Sequence, residues 1–396
     1  MIVRETARDE KKRVDQLFAI AFEMADGTQP GEEEDETVYH WAAFEDGTGN
    51  MMSTLSISDY EIRFDWGTCK MGGIGGVASL PQYRRQGGIR GCFQSALPWM
   101  YEHGYEFSYL YPFSTAYYRK FGYECCVQKL ACSVDLGLLK PGEAAGHFFL
   151  TEAHRPMTEA IRAIDRAWES RYNMMVIHDD AFYDWTRQVD PAKKQEFTYV
   201  YLGADGSPRA YTTFRLANQP DGRNLQCSRF FFLDREGFNG LMHLFKSLSS
   251  DHRYVKFELP NSCSMEYLMP EWSMGAAQWS VCNAGMVRVI NVEKALWKCH
   301  CHGAAGTLTI AVRDPQIPQN NDTFTVVWKD GHVTGVERTQ VEPDAVLDIT
   351  AFSSLLCGVN DLSQAELWMK GVEVLHPEHY PSLMFYRKPM MIADYF

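Results

Sequence analysis

Apolar positions along this chain recur at two spacings, one helical and one alternating, and the switches between them outline its elements. Ile2-Val3-Arg4 predicts a short strand. From Glu10 to Phe22, the residues Val14, Leu17, Phe18, Ala21 and Phe22 share one helical face. Asp26 to Gly31 is a loop by its breakers. Tyr39 to Phe44, Met51 to Ile57, Tyr60 to Phe64 and Thr68 to Ser79 alternate as strands, with turns at Glu45–Asn50 and Asp65-Trp66-Gly67. That run predicts an antiparallel meander. The period then changes. Gln82 to Met100 predicts a helix with Ile89, Phe93, Ala96, Leu97 and Met100 on one face. Glu106 to Tyr111 is a strand, Ala116 to Lys120 a short helix, and a strand continues through Val127.

The same order, strands then helix then strand, returns further on. Thr198–Leu202 and Ala210–Leu216 flank the hairpin turn Asp205-Gly206-Ser207-Pro208. Leu225–Leu233 is a strand, Arg235–Leu248 a helix capped by Asp234, and Tyr254–Leu259 a strand. Met157 to Trp168 adds a helix ahead of them. A third stretch begins near Met286 and predicts strands at 307–312, 323–328, 335–338 and 345–349, a helix at Phe352–Cys357 and a short one at Pro377–Tyr386. The pattern gives three segments, 1–145, 146–284 and 285–396, of α+β class.

Composition narrows the class. Hydrophobic residues at 45% and charged residues at 22% exclude a disordered chain, a collagen and a coiled coil. No apolar run reaches the roughly 18 residues of a membrane span. The start lacks the apolar core of a signal peptide, and eleven cysteines, an odd number, fit a reducing compartment. The expectation is a cytoplasmic protein. Lys+Arg 38 against Asp+Glu 51 leaves a net charge of −13, which disfavours nucleic acid and anionic membrane and favours a cationic substrate. The acidic run Glu32–Glu36 reads either as a solvated loop or as a wall beside such a substrate.

The stretch richest in chemistry runs from Gly75 to Gly91. A strand ends, Pro81 breaks it, and a helix opens on Arg84-Arg85-Gln86-Gly87-Gly88. Helix N-termini aim unpaired amides at an anion, glycines let backbone approach it, and arginines add forked donors. The alternative is a surface turn with a basic helix start. No Gly-Lys-Ser/Thr follows, so this is no P-loop. A dinucleotide fingerprint is excluded on the expectation that no parallel βαβ unit surrounds the loop.

The arrangement resembles the GNAT N-acetyltransferase superfamily, whose acetyl-CoA loop reads R/Q-x-x-G-x-G/A. Here Ile89 departs from the final Gly/Ala. With Val77-Ala78 ahead of Pro81, the paired arginines and Tyr117-Tyr118-Arg119-Lys120-Phe121-Gly122-Tyr123, the stretch resembles the enhanced intracellular survival (Eis) acetyltransferases. The resemblance spans the chain. It implies two tandem GNAT-like folds, the second degenerate, then a sterol-carrier-protein-like domain; a homo-oligomer, a hexamer; and acetyl-CoA-dependent acetylation of amines. The alternative class is a non-catalytic lipid-binding or scaffolding protein.

Acetyl transfer needs a held pyrophosphate, an oxyanion donor, an acid and a base. Arg84, Arg85, Gln86, Gly87 and Gly88 are candidates for the pyrophosphate. Val77, Ala78 and Ser79 are candidates for pairing with pantetheine and aiming an N–H at the thioester oxygen. A phenol can protonate a departing thiolate, and the resemblance assigns that role to Tyr118. It assigns the base to the terminal carboxylate on Phe396, and the hydrophobic tail Met390–Phe396 suits burial of that end. Glu23 and Asp26 are weaker candidates on the substrate side. In the second segment, Leu233-Asp234-Arg235-Glu236-Gly237 replaces the phosphate loop with acids, so one cofactor site per chain is expected. Cys299-His300-Cys301-His302 invites a zinc reading, but alternate strand residues face opposite sides, so no metal is expected.

Overall fold

The computed structural model describes residues 1–22, 37–269, 275–379 and 381–395. The expectations for Glu23, Asp26, Glu32–Glu36 and Phe396 fall outside the described residues. The chain divides into two compact units. One holds Met1–Val127, Gly285–Lys388 and the chain from Asp394; the other holds Gln128–Ala284 and Pro389–Ala393.

In the first unit, β1 (Ile2–Glu5), β2 (Val38–Phe44), β3 (Met51–Phe64) and β4 (Gly67–Ser79) make the antiparallel meander, with α1 (Lys11–Ala21) between β1 and β2 in the chain. Then come α2 (Gly88–Glu102), β5 (Phe107–Leu110), α3 (Thr115–Tyr118) and β6 (Glu124–Cys125). Cys92, Phe93, Ala96, Leu97 and Met100 of α2 are buried at helical spacing, in one core cluster with Leu55, Ile57 and Ile74 of the sheet. The expected helix start at Gln82 is corrected. Arg85 and Gly87 take positive φ (64° and 90°), which ends helical geometry until Gly88.

A second expectation is corrected here. The loop does sit in a parallel unit, because β5 pairs with β4 in parallel, from Met71 opposite Phe107 to Ile74 opposite Leu110, with α2 as the crossover. The meander uses one edge of β4 and leaves the other for β5.

The second unit has β7 (Gln128–Asp135), β8 (His147–Leu150), α4 (Thr158–Arg171), α5 (Pro191–Lys194), β9 (Glu196–Leu202), β10 (Pro208–Gln219), β11 (Gly222–Phe232), α6 (Arg235–Ser247), β12 (Tyr254–Pro260), α7 (Met265–Leu268) and β13 (Ala277–Asn283). Its sheet runs β13-β7-β12-β11-β10-β9-β8, and β11 pairs with β12 in parallel across α6. That repeats the β4-α2-β5 plan. Strand β7, which the sequence segmentation leaves with the first 145 residues, lies inside this sheet.

The chain then returns to the first unit. Strand β14 (Met286–Val289) inserts between β5 and β6, so the first sheet runs β1-β2-β3-β4-β5-β14-β6. After α8 (Val292–Lys298), strands β15 (Ala305–Arg313), β16 (Asp322–Lys329), β17 (His332–Thr339), β18 (Ala345–Asp348) and β19 (Val372–Val374) form a further sheet with α9 (Ile349–Cys357) and α10 (Leu362–Trp368). Helix α10 was not anticipated, and the expected helix at Pro377–Tyr386 is instead short turns at Pro377–His379 and Pro381–Leu383. Cys299 and Cys301 are fully buried, whereas the His302 ring stacks on Tyr386 at 3.6 Å.

Candidate active site

The site is built where β4 leaves its neighbours. Across β3, Thr54 faces Ala78 and Ser56 faces Gly75, so Gly76 and Val77 together oppose Leu55. This is a β-bulge, and it re-aims the last residues of β4. Gly76 takes φ 55°, and a Cβ there would fall 2.3 Å from the Phe18 ring of α1. Pairing with β5 stops at Ile74. Among the described residues, β4 from Gly75 to Ser79 therefore has no strand on that edge, which leaves main-chain groups for an extended ligand.

The loop that follows supplies amides. The first intrahelical bond of α2 runs from the Gly91 N–H to the Gly87 carbonyl at 2.9 Å. The amides of Gly88, Ile89 and Arg90 precede it and have no intrahelical acceptor, and among the described residues no side chain caps them. Gly88 is buried on β3, where a Cβ would lie 2.3 Å from the Ser53 Oγ and 2.9 Å from its Cβ. Only glycine lets the helix start lie this low. Arg84 and Arg85 are exposed, with no ion pair among the described residues.

These groups face a cavity of about 580 Å³. Ser79 and Arg84 to Ile89 form one wall; Arg90 and Gln94 of α2 extend it; Tyr117, Lys120, Phe121 and Gln316 close the other side. Among the described residues, four cations and no carboxylate line it. A diphosphate ester fits: amides and charge complement the anion, and the missing Cβ at Gly88 lets the first turn of α2 rest against Ser53 of β3.

The predicted residues divide. Ser79, Arg84, Arg85, Gln86, Gly87 and Gly88 come together around the cavity, whereas Val77 and Ala78 do not line it. The Ala78 side chain packs against Val14 and Leu17 of α1, so it can offer only its backbone. Tyr118 is buried beside the cavity. Its ring lies edge-on to Phe93, Phe113 and Tyr117, and it shares a core cluster with Ile74 and Leu110, the last ladder pair. Burial, with Tyr117 and Tyr123 adding, pushes its hydroxyl well above the usual phenol range and keeps the proton on at neutral pH. Sequence reading passed over Arg90, Gln94, Tyr117, Lys120 and Gln316 as lining residues. Tyr117 and Lys120 stand inside a motif already quoted. Gln316 is 196 residues from Lys120 and carried no signal.

Near the chain end, the Tyr111 hydroxyl donates to the Asp394 carbonyl at 2.6 Å, and the Tyr395 ring stacks on Tyr111 at 4.5 Å. Tyr111 directly follows β5. In the second unit, the equivalent helix start is closed to anions. The Asp234 carboxylate caps α6 by accepting from the Gly237 N–H at 2.8 Å and pairs with Arg209 at 2.6 Å.

Residues 2–126 match the model of an acetyltransferase (GNAT) domain, residues 174–289 match a second acetyltransferase (GNAT) domain, and residues 292–370 match a sterol carrier protein domain. No curated protein matches the chain in sequence. Similar solved structures include a probable N-acyltransferase, a conserved protein of unknown function from Enterococcus faecalis V583 (19% identity, TM-score 0.85, 100% of this chain and 99% of that one). They include a GCN5-related N-acetyltransferase from Anabaena variabilis ATCC 29413 (18%, 0.83, 100% of both chains) and Eis1 from Mycobacterium abscessus (18%, 0.79, 100% of both chains). The chain thus holds two GNAT domains followed by a sterol-carrier-type domain, in mixed sheets with flanking helices. It is an enzyme of the GNAT acetyltransferase type, and that fold implies acetyl-CoA as co-substrate and a small-molecule acceptor.

Proposed function

We propose that this acetyltransferase is of Eis type and moves an acetyl group from acetyl-CoA to an amine of a cationic small molecule: aminoglycoside-like, polyamine or lysine. The observation that carries the reading is the cavity at the start of α2, where, among the described residues, amides without an intrahelical acceptor and four cations meet no carboxylate, beside a strand edge that no described strand covers. The three-part order of the chain, shared over its full length with the Eis1 fold, supports the family. The capped α6 start supports one cofactor site per chain.

The roles follow from position. The Gly87–Arg90 backbone, with Arg84 and Arg85, holds the pyrophosphate, and the Val77–Ser79 backbone pairs with pantetheine and directs an N–H at the thioester oxygen. Acetyl-CoA supplies the activated acyl group. Tyr118 gives its proton to the departing thiolate; its place next to the end of the β4–β5 ladder supports this. The terminal carboxylate on Phe396 takes the proton from the amine. Support comes from the anchoring of Asp394 and Tyr395 on Tyr111, which follows β5. Glu23 and Asp26 attract the cationic acceptor. We extend the proposal to a cytoplasmic location and to a hexamer that covers exposed apolar side chains such as Phe113, Leu367 and Trp368.

The test is calorimetric titration with acetyl-CoA followed by an acetylation screen across amine classes. Tyr118→Phe is expected to lower kcat by about 10²–10⁴-fold with acetyl-CoA affinity near wild type. Absent acetyl-CoA binding, or unchanged kcat in this variant, would refute the corresponding part.

A further inference from the structure

The cavity of the first GNAT domain is closed by a residue from the sterol-carrier-type part of the chain. Gln316 lies in the turn between β15 and β16 and lines the cavity opposite the α2 start. Its Nε2 donates to the Lys120 carbonyl at 3.3 Å. A primary amide has two N–H donors and a carbonyl, so one N–H and the carbonyl remain for a ligand.

The turn that carries Gln316 is held firmly. The Asp314 Oδ1 accepts the backbone N–H groups of Gln316 (2.9 Å) and Ile317 (3.2 Å). Arg288 of β14 binds Asp314 through both carboxylate oxygens at 2.8 and 2.6 Å, and both side chains are fully buried. The same guanidinium donates to the Phe121 carbonyl at 2.6 Å, and so pins the opposing wall as well. The amide is thus held on a rigid turn, a placement that suits recognition of one ligand edge.

The lining also says which half of the ligand Gln316 meets. The cavity takes in Ser79 of β4 but neither Val77, Ala78 nor Tyr118. It is therefore the half remote from the acyl group. With the pyrophosphate on the loop amides, the nucleoside occupies what remains, between Arg90, Gln94, Tyr117, Lys120 and Gln316. Adenine presents an amino donor beside a ring-nitrogen acceptor, the complement of a side-chain amide. We propose that Gln316, supplied by the sterol-carrier-type domain, is a cofactor-specificity residue that reads the adenine edge of acetyl-CoA, with Arg288 and Asp314 as its positioning residues. This rests on the acetyl-CoA reading of the cavity.

The experiment is steady-state kinetics on the full chain with acetyl-CoA, 1,N6-etheno-acetyl-CoA and 3′-dephospho-acetyl-CoA. Wild type is expected to show a KM for the etheno donor about three- to tenfold above that for acetyl-CoA, one or two hydrogen bonds' worth. Gln316→Ala should raise the acetyl-CoA KM by that factor, leave kcat within twofold, and abolish discrimination against the etheno donor. Gln316→Glu, which turns a donor into a charge beside Lys120, should be worse than Ala. Equal etheno discrimination in wild type and Gln316→Ala overturns the proposal. So does a loss of discrimination against the dephospho donor alone, which would put Gln316 at the ribose phosphate. If wild type binds no acetyl-CoA at all, it is the reading of the cavity that fails.

Discussion

Removing the Asp314 carboxylate by Asp314→Ala tests the energetic centre of the first unit. Both members of the Arg288–Asp314 pair are fully buried, with two bonds of 2.6 and 2.8 Å. The variant leaves the guanidinium its bond to the Phe121 carbonyl and strands the rest of the charge. It also removes one of two bonds from the Asn320 amide, which donates to Asp314 at 2.9 Å and keeps the Ile290 carbonyl, and it orphans the backbone N–H groups of Gln316 and Ile317. Breaking a buried pair by deleting one partner costs about 3–5 kcal/mol. For a folding unit of roughly 150–250 residues that corresponds to a fall of about 6–20 °C in the unfolding midpoint. The assay is thermal unfolding of wild type, Asp314→Ala, Arg288→Met and the double variant Arg288→Met/Asp314→Leu. The double variant should be less damaged than the sum of the singles, because an apolar pair leaves no uncompensated charge. A midpoint for Asp314→Ala within 2 °C of wild type, or an additive double variant, would refute the reasoning.

Three further outcomes follow from the geometry. Gly88→Ala should raise the KM for acetyl-CoA by about tenfold or more, since the new Cβ meets Ser53 at 2.3 Å and lifts the first turn of α2 off β3; Ser53→Gly should restore much of the loss, and its failure to do so would count against the clash. In the second unit, burial pushes the Asp165 carboxyl up to about 6, against the pull of the Tyr211 hydroxyl 2.6 Å away. The native state holds that proton more tightly than the unfolded chain, so the stability it contributes is present at low pH and lost as pH rises through about 6. The loss is about 3 kcal/mol, and Asp165→Asn should remove it, so parallel pH–stability curves for wild type and variant would exclude this account. Residues added after Phe396 should abolish turnover without moving the unfolding midpoint, while Phe396→Leu is milder; full activity in a C-terminally extended protein would redirect the search for the base.

Much of this protein was legible one residue at a time. The meander, the second strands–helix–strand run and the glycine- and arginine-rich loop ahead of α2 are local events. Period-2 and period-3.6 patterns report which face of an element meets a core, and the Arg84–Gly88 run is legible as a candidate anion loop because glycine and arginine each act through their own chemistry. The acidic cap at Asp234 was equally readable, since a carboxylate at a helix start acts on the next turn. Edges and partners were not readable. Nothing in Thr68–Ser79 says that its second edge takes β5 in parallel, because pairing depends on which strand reaches that edge. The same holds for β14, which enters the first sheet from far along the chain, and for β7, which joins the second. The bulge at Gly76 was masked by a strand pattern that tolerates one extra residue. Gln316 is the sharpest case: its sequence neighbours describe a turn, and only the Arg288–Asp314 pair, closing across residues distant in the chain, carries that turn to the cavity of another domain. Local chemistry is written in the order of the residues, whereas proximity is decided by which buried faces and edges find one another when the chain collapses.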